Sequence, residues 1–485
     1  MPHGQNHRFI LDVMEKEKSY LSAMKAEVLF GEAPTNNWYY RKIFSGSKLL
    51  WELNVRHTDT YRVRIAYYAR GKGNDFLLEG PGGQKFPFTL DPIQAYQSQK
   101  VPMRDPSMEQ AITDVELVDL NASIHLEAGI QQISLEIHPS SEVWIFYLEL
   151  LPLRCEAEIH AKEAQAIAQR TPIKPYADAG YGLFITWAHL TTPRFGPPLP
   201  YNEAIEAFDT DAFARQAKAC GASYVIFTAF WIHKLFPDRR FMAPLPEWLK
   251  YACNTASSRD LIADLITSLE KVNIKLFLYI NTSLACPFQT DDGTRISDYH
   301  CTQADMDKKY LSRYQDWLEE FLGGLGRRYG KSIHGFWLDS WGSTIHTYGV
   351  DGAERVYKAC KIGNPDRLVS LAFSRSPCCT PWQDYACGEF RVIGQLPEEG
   401  MYKSGHSKGI PYHTILILDD DWIHMKEDTP IEDPQYTPEQ LATFLNGCRE
   451  KGGMVSISVA VYQDGSFAPA SLETMKKVKD LTHHD

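Results

Sequence analysis

From about residue 180 onward the sequence repeats one local grammar, a short apolar run followed by a longer amphipathic stretch. No other feature constrains the fold as strongly. Strand candidates begin near Tyr181, Ala222, Ile274, Ile333, Leu368, Phe390, Tyr412 and Met454. Helical stretches fall between several of them, at Asp211–Cys220, Ser258–Val272, Asp305–Arg328, Gly352–Lys361 and Pro438–Glu450. Ser258 with Asp260 gives the second of these an N-terminal signal, since a short polar side chain there accepts from unsatisfied first-turn amides. Eight parallel strands alternating with helices over about 300 residues is the pattern of a (β/α)8 barrel, although the sixth and seventh units are irregular.

The preceding residues follow a different period. Leu49–Val55 and Tyr61–Tyr68 alternate apolar and polar side chains, and Ile133–Ile137 and Val143–Leu150 read as further strands. Turn clusters such as Gly80-Pro81-Gly82-Gly83 separate them, which predicts an antiparallel β-sandwich. Its strand layout resembles carbohydrate-binding modules; a sugar-binding sandwich and a purely structural one both remain open. Residues 1–29 read as an amphipathic helix whose Glu15-Lys16-Glu17-Lys18 run is a solvated face, and residues 156–171, rich in Ala and Glu, as a linking helix. The expected fold class is α/β, with an N-terminal helical segment (1–29), a β-sandwich (30–155), a linker helix (156–179) and a (β/α) barrel catalytic domain (180–485).

A chain of 485 residues exceeds one compact core, in keeping with two domains. The formal charge of −11 argues against nucleic acid as a partner, because phosphate binding calls for a basic surface. Ten scattered Cys residues without a CxxC, together with the absence of HxH and HExxH, give no support for a metal site, and no cofactor is expected. The vicinal Cys378-Cys379 pair reads as free thiols. No apolar run is long enough to span a bilayer and no signal peptide is seen, so a cytoplasmic location without membrane partners is expected. Oligomeric state is not legible.

Catalytic groups of such barrels lie at the C-terminal ends of strands. The run His334-Gly335-Phe336-Trp337-Leu338-Asp339 is an apolar strand closed by an acid, with Ser340-Trp341-Gly342 after it. Asp339 there has the makings of a glycosidase nucleophile; an Asp capping the next loop is the alternative. A retaining glycosidase needs a second carboxyl group about 5–5.5 Å away to protonate the leaving oxygen and later deprotonate water. Glu389 leads, with Asp419, Asp420, Asp421, Glu398 and Glu399 as rivals that spacing alone does not separate.

Six segments, in order, resemble the α-L-fucosidases: YGLFITW (181–187), FDTDAFARQAKACGASYVIFTAF (208–230), RDLIADLITSLEKVNIKLFLYI (259–280), GFWLDSWG (335–342), SRSPCCTPWQDYACGEF (374–390) and KGGMVSISVAVYQDGSF (451–467). The resemblance implies a retaining glycoside hydrolase with Asp339 as nucleophile, Glu389 as acid/base and Arg375 as a sugar contact. Trp187, Trp231, His233, Trp341 and Tyr385 are further substrate-binding candidates, the aromatic ones as walls of a sugar site; packing in the core is the alternative for each. His189 and His424 could also contact hydroxyls, though lone histidines are usually structural.

The departures from that family bear on the substrate. Thr186 stands where it usually has His, Phe230-Trp231-Ile232 where it has Lys-His-His, and Met454 and Ser458 where Asn is common. His233 follows one position later. The expected substrate is an oligosaccharide or glycoside, an α-L-fucoside or a related glycan. A glycosidase for a different sugar on the same scaffold and a non-catalytic carbohydrate-binding protein are the alternatives.

Overall fold

The computed structural model describes residues 10–36, 40–93, 116–230, 259–282, 288–289, 295–296, 308–339, 352–372, 380–390, 393, 399–402, 408–420 and 422–482. Its N-terminal region holds two six-stranded sheets, largely antiparallel. One is built on Ser47–Val55, which pairs with Ile10–Val13 in parallel and with Gly129–His138 antiparallel, and continues through Asn74–Glu79 to Lys85–Leu90. The other runs from Glu116–Leu126 through Asp59–Ala69 and Val143–Pro152 to Tyr40–Ile43. Ser47–Val55 alternates buried and half-buried residues along its length, as a strand with one face on a core must.

The expected N-terminal helix does not form. Ile10–Val13, Ser19–Ser22 and Glu27–Phe30 are strands, each paired with a segment distant in sequence. Nor is the charge run a solvated face. Lys18, 6% exposed, lies 3.7 Å from Glu149 and also pairs with Glu163, while Lys162 reaches Glu17 at 2.6 Å. These ion pairs join the segment to the strand Val143–Pro152 and to the helix Glu156–Ala168 that follows the sheets.

The barrel strands are Gly182–Ile185, Tyr224–Phe230, Lys275–Asn281, Ile333–Asp339, Leu368–Leu371, Ala386–Phe390, Tyr412–Ile417 and Met454–Ser458. Every pairing is parallel, and the spatial order is five, four, three, two, one, eight, seven, six. Each strand therefore lies beside its neighbours in sequence and the first beside the eighth, which makes a barrel with one seam between the fifth and sixth strands. The sixth strand begins at Ala386 and ends at Phe390, the residue at which it was expected to start. Its Ala-Cys-Gly opening has too little β-branched or aromatic character to announce a strand.

Alternate positions of these strands fill the interior with Phe184, Tyr224, Ile226, Phe277, Tyr279, Trp337, Leu368 and Ile415. Large rings fit because small residues oppose them. A Cβ on Gly182 would come within 2.1 Å of the Tyr224 ring, and one on Gly335 within 2.3 Å of the Phe277 ring. Outside the strands, Asp209 and Asp260 accept first-turn amides of the helices Thr210–Ala219 and Leu261–Lys271. A Thr437–Gln440 capping box starts Pro438–Glu450. Cys155, Cys220, Cys360, Cys387 and Cys448 are free and buried; the Cys378-Cys379 pair lies outside the described residues. Among the described residues no helix is long and apolar enough to cross a membrane.

Candidate active site

Because all eight strands run parallel, their C-terminal ends share one face of the barrel. Asp339 closes the fourth strand there and is half-buried. Its carboxylate is held by the neighbouring third strand, where the Tyr279 hydroxyl donates to Oδ2 at 2.5 Å and the Asn281 amide donates to the same oxygen at 3.3 Å. The register explains the pair. Tyr279 is level with Trp337 and Asn281 with Asp339, so the period of two puts both donors on the face of the carboxylate. The Thr282 amide and hydroxyl donate to the Asp339 carbonyl at 3.0 and 2.6 Å, fixing the backbone as well.

Below the carboxylate lies an aromatic floor. The Tyr279 and Trp337 rings stack at 5.3 Å, and Phe184 meets both edge-on at 5.6 and 5.4 Å. Trp422, half-buried in the segment after the seventh strand, packs edge-on against Phe184 at 5.6 Å. Each such contact contributes about 0.5–1.5 kcal/mol beyond burial alone, so the floor is stiff. Hydrogen bonds donated to a carboxylate favour its charged form. The arrangement offers an oriented carboxylate oxygen over a flat apolar surface, a geometry suited to a ring with one apolar face.

The sequence reading named Asp339 as a candidate but did not name Tyr279, Asn281, Phe184, Trp337 or Trp422, which the structure places around it. The signal for the first two was available. A Tyr and an Asn at alternate positions closing the apolar run Lys275–Asn281 are polar groups aimed where a buried strand has no other use for them.

The other candidates divide. Glu389 sits in the sixth strand with its backbone level with Ile415, and its side chain lies outside the described residues. Trp231, His233, Trp341 and Arg375 also lie outside them. Trp187 is not brought to the site. It is fully buried on the outer side of the first strand among Tyr201, Phe208 and Phe227, and its indole N–H donates to the Gln463 carbonyl at 3.0 Å. Tyr385 is fully buried just before the sixth strand, its ring edge-on to His413 at 5.6 Å, toward the opposite end of the barrel from Asp339. Burial pushes the Tyr385 hydroxyl well above its ordinary range and the His413 imidazole down to about 3.

Among the rival carboxylates, Asp419 accepts from the Ala460 amide at 3.0 Å and the Ser471 hydroxyl at 2.6 Å. Burial, with the charge of Asp420 added, raises it to about 7 despite those bonds. It ties the seventh strand to the C-terminal helix Pro469–Thr482 and is 1% exposed, out of reach of a substrate. Asp420 lies 2.6 Å from Nδ1 of buried His424, whose Nε2 is 3.1 Å from the Thr429 carbonyl, so both belong to an internal network. His189 sits edge-on to Tyr201 at 6.2 Å. Glu399 is exposed; Asp421 and Glu398 lie outside the described residues. Among the described residues no group of three or more His, Cys, Asp or Glu side chains is placed to hold a metal ion.

A family model described as Alpha-L-fucosidase matches residues 159–483, which covers the barrel and the helix before it. No curated protein matches the sequence. Among solved structures, an alpha-L-fucosidase GH29 from Bacteroides thetaiotaomicron is similar at 14% identity over 64% of this chain and 72% of that one, with a TM-score of 0.45. Alpha-L-fucosidase isoenzyme 1 from Paenibacillus thiaminolyticus is similar at 18% identity, covering 65% and 75%, with a TM-score of 0.47. Alpha-L-fucosidase AlfC from Lactobacillus casei, in complex with alpha-L-fucose product, is similar at 16% identity, covering 66% and 98%, with a TM-score of 0.44. The family assignment rests on the family model, which spans more than half of the sequence: the chain belongs to the alpha-L-fucosidase family of glycoside hydrolases.

Proposed function

We propose that the protein hydrolyses α-L-fucosides with retention of configuration, using Asp339 as nucleophile and Glu389 as acid/base. The observation that carries this reading is the Asp339 carboxylate itself, fixed by Tyr279 and Asn281 at the mouth of the barrel over an aromatic floor. Asp339 attacks the anomeric carbon and displaces the leaving oxygen, which takes a proton from Glu389; a covalent glycosyl-enzyme results. Water, deprotonated by Glu389, then releases the sugar and restores both groups. The Tyr279 hydroxyl orients the carboxylate through Oδ2.

Backbone register supports Glu389 as the partner. Val369 is level with Phe336 on the fourth strand, and the Asp384 amide donates to the Val369 carbonyl at 2.8 Å across the seam. From that level Asp339 lies three residues and Glu389 five residues toward the C-terminal face. Both thus lie toward the C-terminal face from that level, on strands separated only by the fifth, with Glu389 two residues, about 7 Å, further along its strand. Glu389 also shares register parity with Cys387, which belongs to the interior cluster. Arg375, Trp231, His233 and Trp341 are proposed sugar contacts, and Trp422 joins them from the floor.

A second reading, the same chemistry on a different sugar, is favoured by Thr186 and Ser458. Both are buried small residues at positions where the fucosidase pattern has larger polar side chains. A pocket that does not hydrogen-bond a given hydroxyl discriminates weakly for it. A panel of chromogenic glycosides that includes the α-L-fucoside, run with wild type and Asp339→Ala, tests both readings. Fucoside cleavage lost in the variant supports the first; cleavage of another sugar alone, also lost, supports the second. Activity that survives in Asp339→Ala removes the mechanism.

A further inference from the structure

Among the described residues the barrel closes through ladders everywhere except between the fifth strand, Leu368–Leu371, and the sixth, Ala386–Phe390. At this seam side chains take the place of a strand. The Val369 amide donates to Asp384 Oδ2 at 2.7 Å while the Asp384 amide donates to the Val369 carbonyl at 2.8 Å. The Leu371 amide points to Gln383 Oε1 at 3.4 Å. Asp384 is fully buried, and its remaining capacity is taken up by the surrounding layer. Oδ1 accepts from the Tyr357 hydroxyl at 2.8 Å and the Thr171 amide at 2.7 Å, and Oδ2 accepts from Lys361 Nζ at 2.8 Å. Arg170 grips the same segment through the Gln383 and Pro381 carbonyls, at 2.9 and 3.4 Å, and the Gly409 carbonyl at 3.1 Å. One carboxylate thus ties together the fifth strand, the helix at 352–361, the segment after Glu156–Ala168 and the start of the sixth strand.

We infer that Asp384 is a positioning residue for the acid/base, setting the register of the sixth strand against the strands that carry the nucleophile. The inference rests on the reading of Glu389 as acid/base. Among the described residues the sixth strand has a ladder on one side only, with the seventh strand. On the side that faces the fifth and fourth strands, its placement is set across the seam by the Asp384 tie, made two residues before the strand begins, with the Gln383 and Arg170 contacts beside it. A slip of one residue would move the strand by about 3.3 Å and turn every side chain to the other face. Retention demands two carboxyl groups within a window of about half an ångström, and a misplacement of about 1 Å costs on the order of 100-fold in rate. Loosening the tie should therefore impair proton transfer before it impairs nucleophilic attack, because Asp339 is held independently by Tyr279 and Asn281.

Leaving-group dependence reads this directly. A dinitrophenyl fucoside departs without protonation, whereas an alkyl fucoside needs the acid. The variants are Asp384→Asn; Asp384→Asn with Lys361→Met, which removes the buried cation left without its counter-ion; and Tyr357→Phe, which deletes a single donor. Each is compared with Glu389→Ala, with thermal melting confirming a folded barrel. We expect the Asp384 variants to lose about 100-fold in kcat/KM on the alkyl fucoside and only a few-fold on the dinitrophenyl fucoside, with Tyr357→Phe following the same direction more weakly. Equal losses on both substrates, or none, in folded variants would overturn the positioning role. If Glu389→Ala itself shows no leaving-group selectivity, the acid/base assignment falls and the positioning role with it. If Glu389→Ala shows it and the Asp384 and Tyr357 variants do not, the seam inference alone is wrong.

Discussion

Gly335→Ala is the sharpest test of how the strand bearing Asp339 is packed. The new methyl group would lie 2.3, 2.6 and 2.8 Å from Cδ2, Cε2 and Cγ of Phe277. Ordinary contact begins near 3.4 Å, so the ring would have to retreat by about 1 Å. It has no room to do so. Phe277 is fully buried, stacked on Tyr224 at 5.2 Å and met edge-on by Tyr176 at 5.1 Å, while the Tyr224 hydroxyl is fixed to the Val455 carbonyl at 2.7 Å. Overpacking of a rigid core costs about 1–3 kcal/mol or more, and the gain from replacing a strand glycine, about 0.5–1 kcal/mol, offsets only part of it. We expect a net loss of about 1–2 kcal/mol, a drop of a few degrees in the barrel's melting temperature for a domain of this size. Phe277→Leu alone should cost about 1 kcal/mol, yet the double variant should be more stable than Gly335→Ala, because the smaller side chain vacates the space the methyl group needs. Thermal melting followed by tryptophan fluorescence checks all three. A Gly335→Ala protein within about 0.5 kcal/mol of wild type, or a double variant whose losses simply add, would refute the reasoning.

Further expectations concern the site and its surroundings. Tyr279→Phe keeps the ring on Trp337 but removes the hydroxyl from Asp339; a charge-assisted bond of about 1.5–3 kcal/mol is lost, so the acidic limb of the kcat/KM profile should move up by about one to two pH units. An unmoved limb would mean that Asp339 is not the group titrating there. Asp419, raised to about 7 in the folded protein by burial, holds a proton that the unfolded chain releases near the ordinary carboxylate range. Its contribution is therefore fully present at pH 4 and below, is lost as pH rises to about 7, and amounts to at most about 4 kcal/mol. Asp419→Asn should flatten that slope in melting temperatures measured from pH 4 to 8, and an unchanged slope would contradict it. Trp422→Ala should lower kcat/KM for the glycoside by about 10-fold if the ring is a wall of the sugar site, with a loss of about 1 kcal/mol in stability from its contact with Phe184.

Much of the barrel was legible because its strands are short continuous apolar runs between amphipathic helices, a pattern local in sequence. Pro438–Glu450 was placed to the residue, and its Thr437–Gln440 capping box makes that start local in sequence. The sixth strand was misplaced because Ala386-Cys387-Gly388 carries no strand signal; what makes it a strand is its pairing with Tyr412–Ile417. The N-terminal segment failed for the same reason in stronger form. Ser19–Ser22 is a strand only because Val143–Pro152 lies beside it, and a charged run that pairs across more than a hundred residues looks, locally, like a wet helix. At the site, Asp339 was visible as an acid closing an apolar strand. Trp187 misled because a tryptophan at a strand end looks the same whether it faces the barrel mouth or, as here, the helix layer. Trp422 escaped notice because its contact with Phe184 joins the seventh strand's loop to the first strand, which no local pattern encodes.

The proposed mechanism requires a covalent bond between Asp339 and the sugar. It is tested most directly by incubating the protein with a deactivated fluorosugar, a fucosyl fluoride bearing a second fluorine beside the anomeric carbon. That substituent slows hydrolysis of the intermediate enough for it to accumulate. Peptide mass spectrometry should place one fucosyl adduct on Asp339, with none on the Asp339→Asn protein. An adduct on another carboxylate would contradict the account, as would turnover of the fucoside that continues in Asp339→Asn without any adduct.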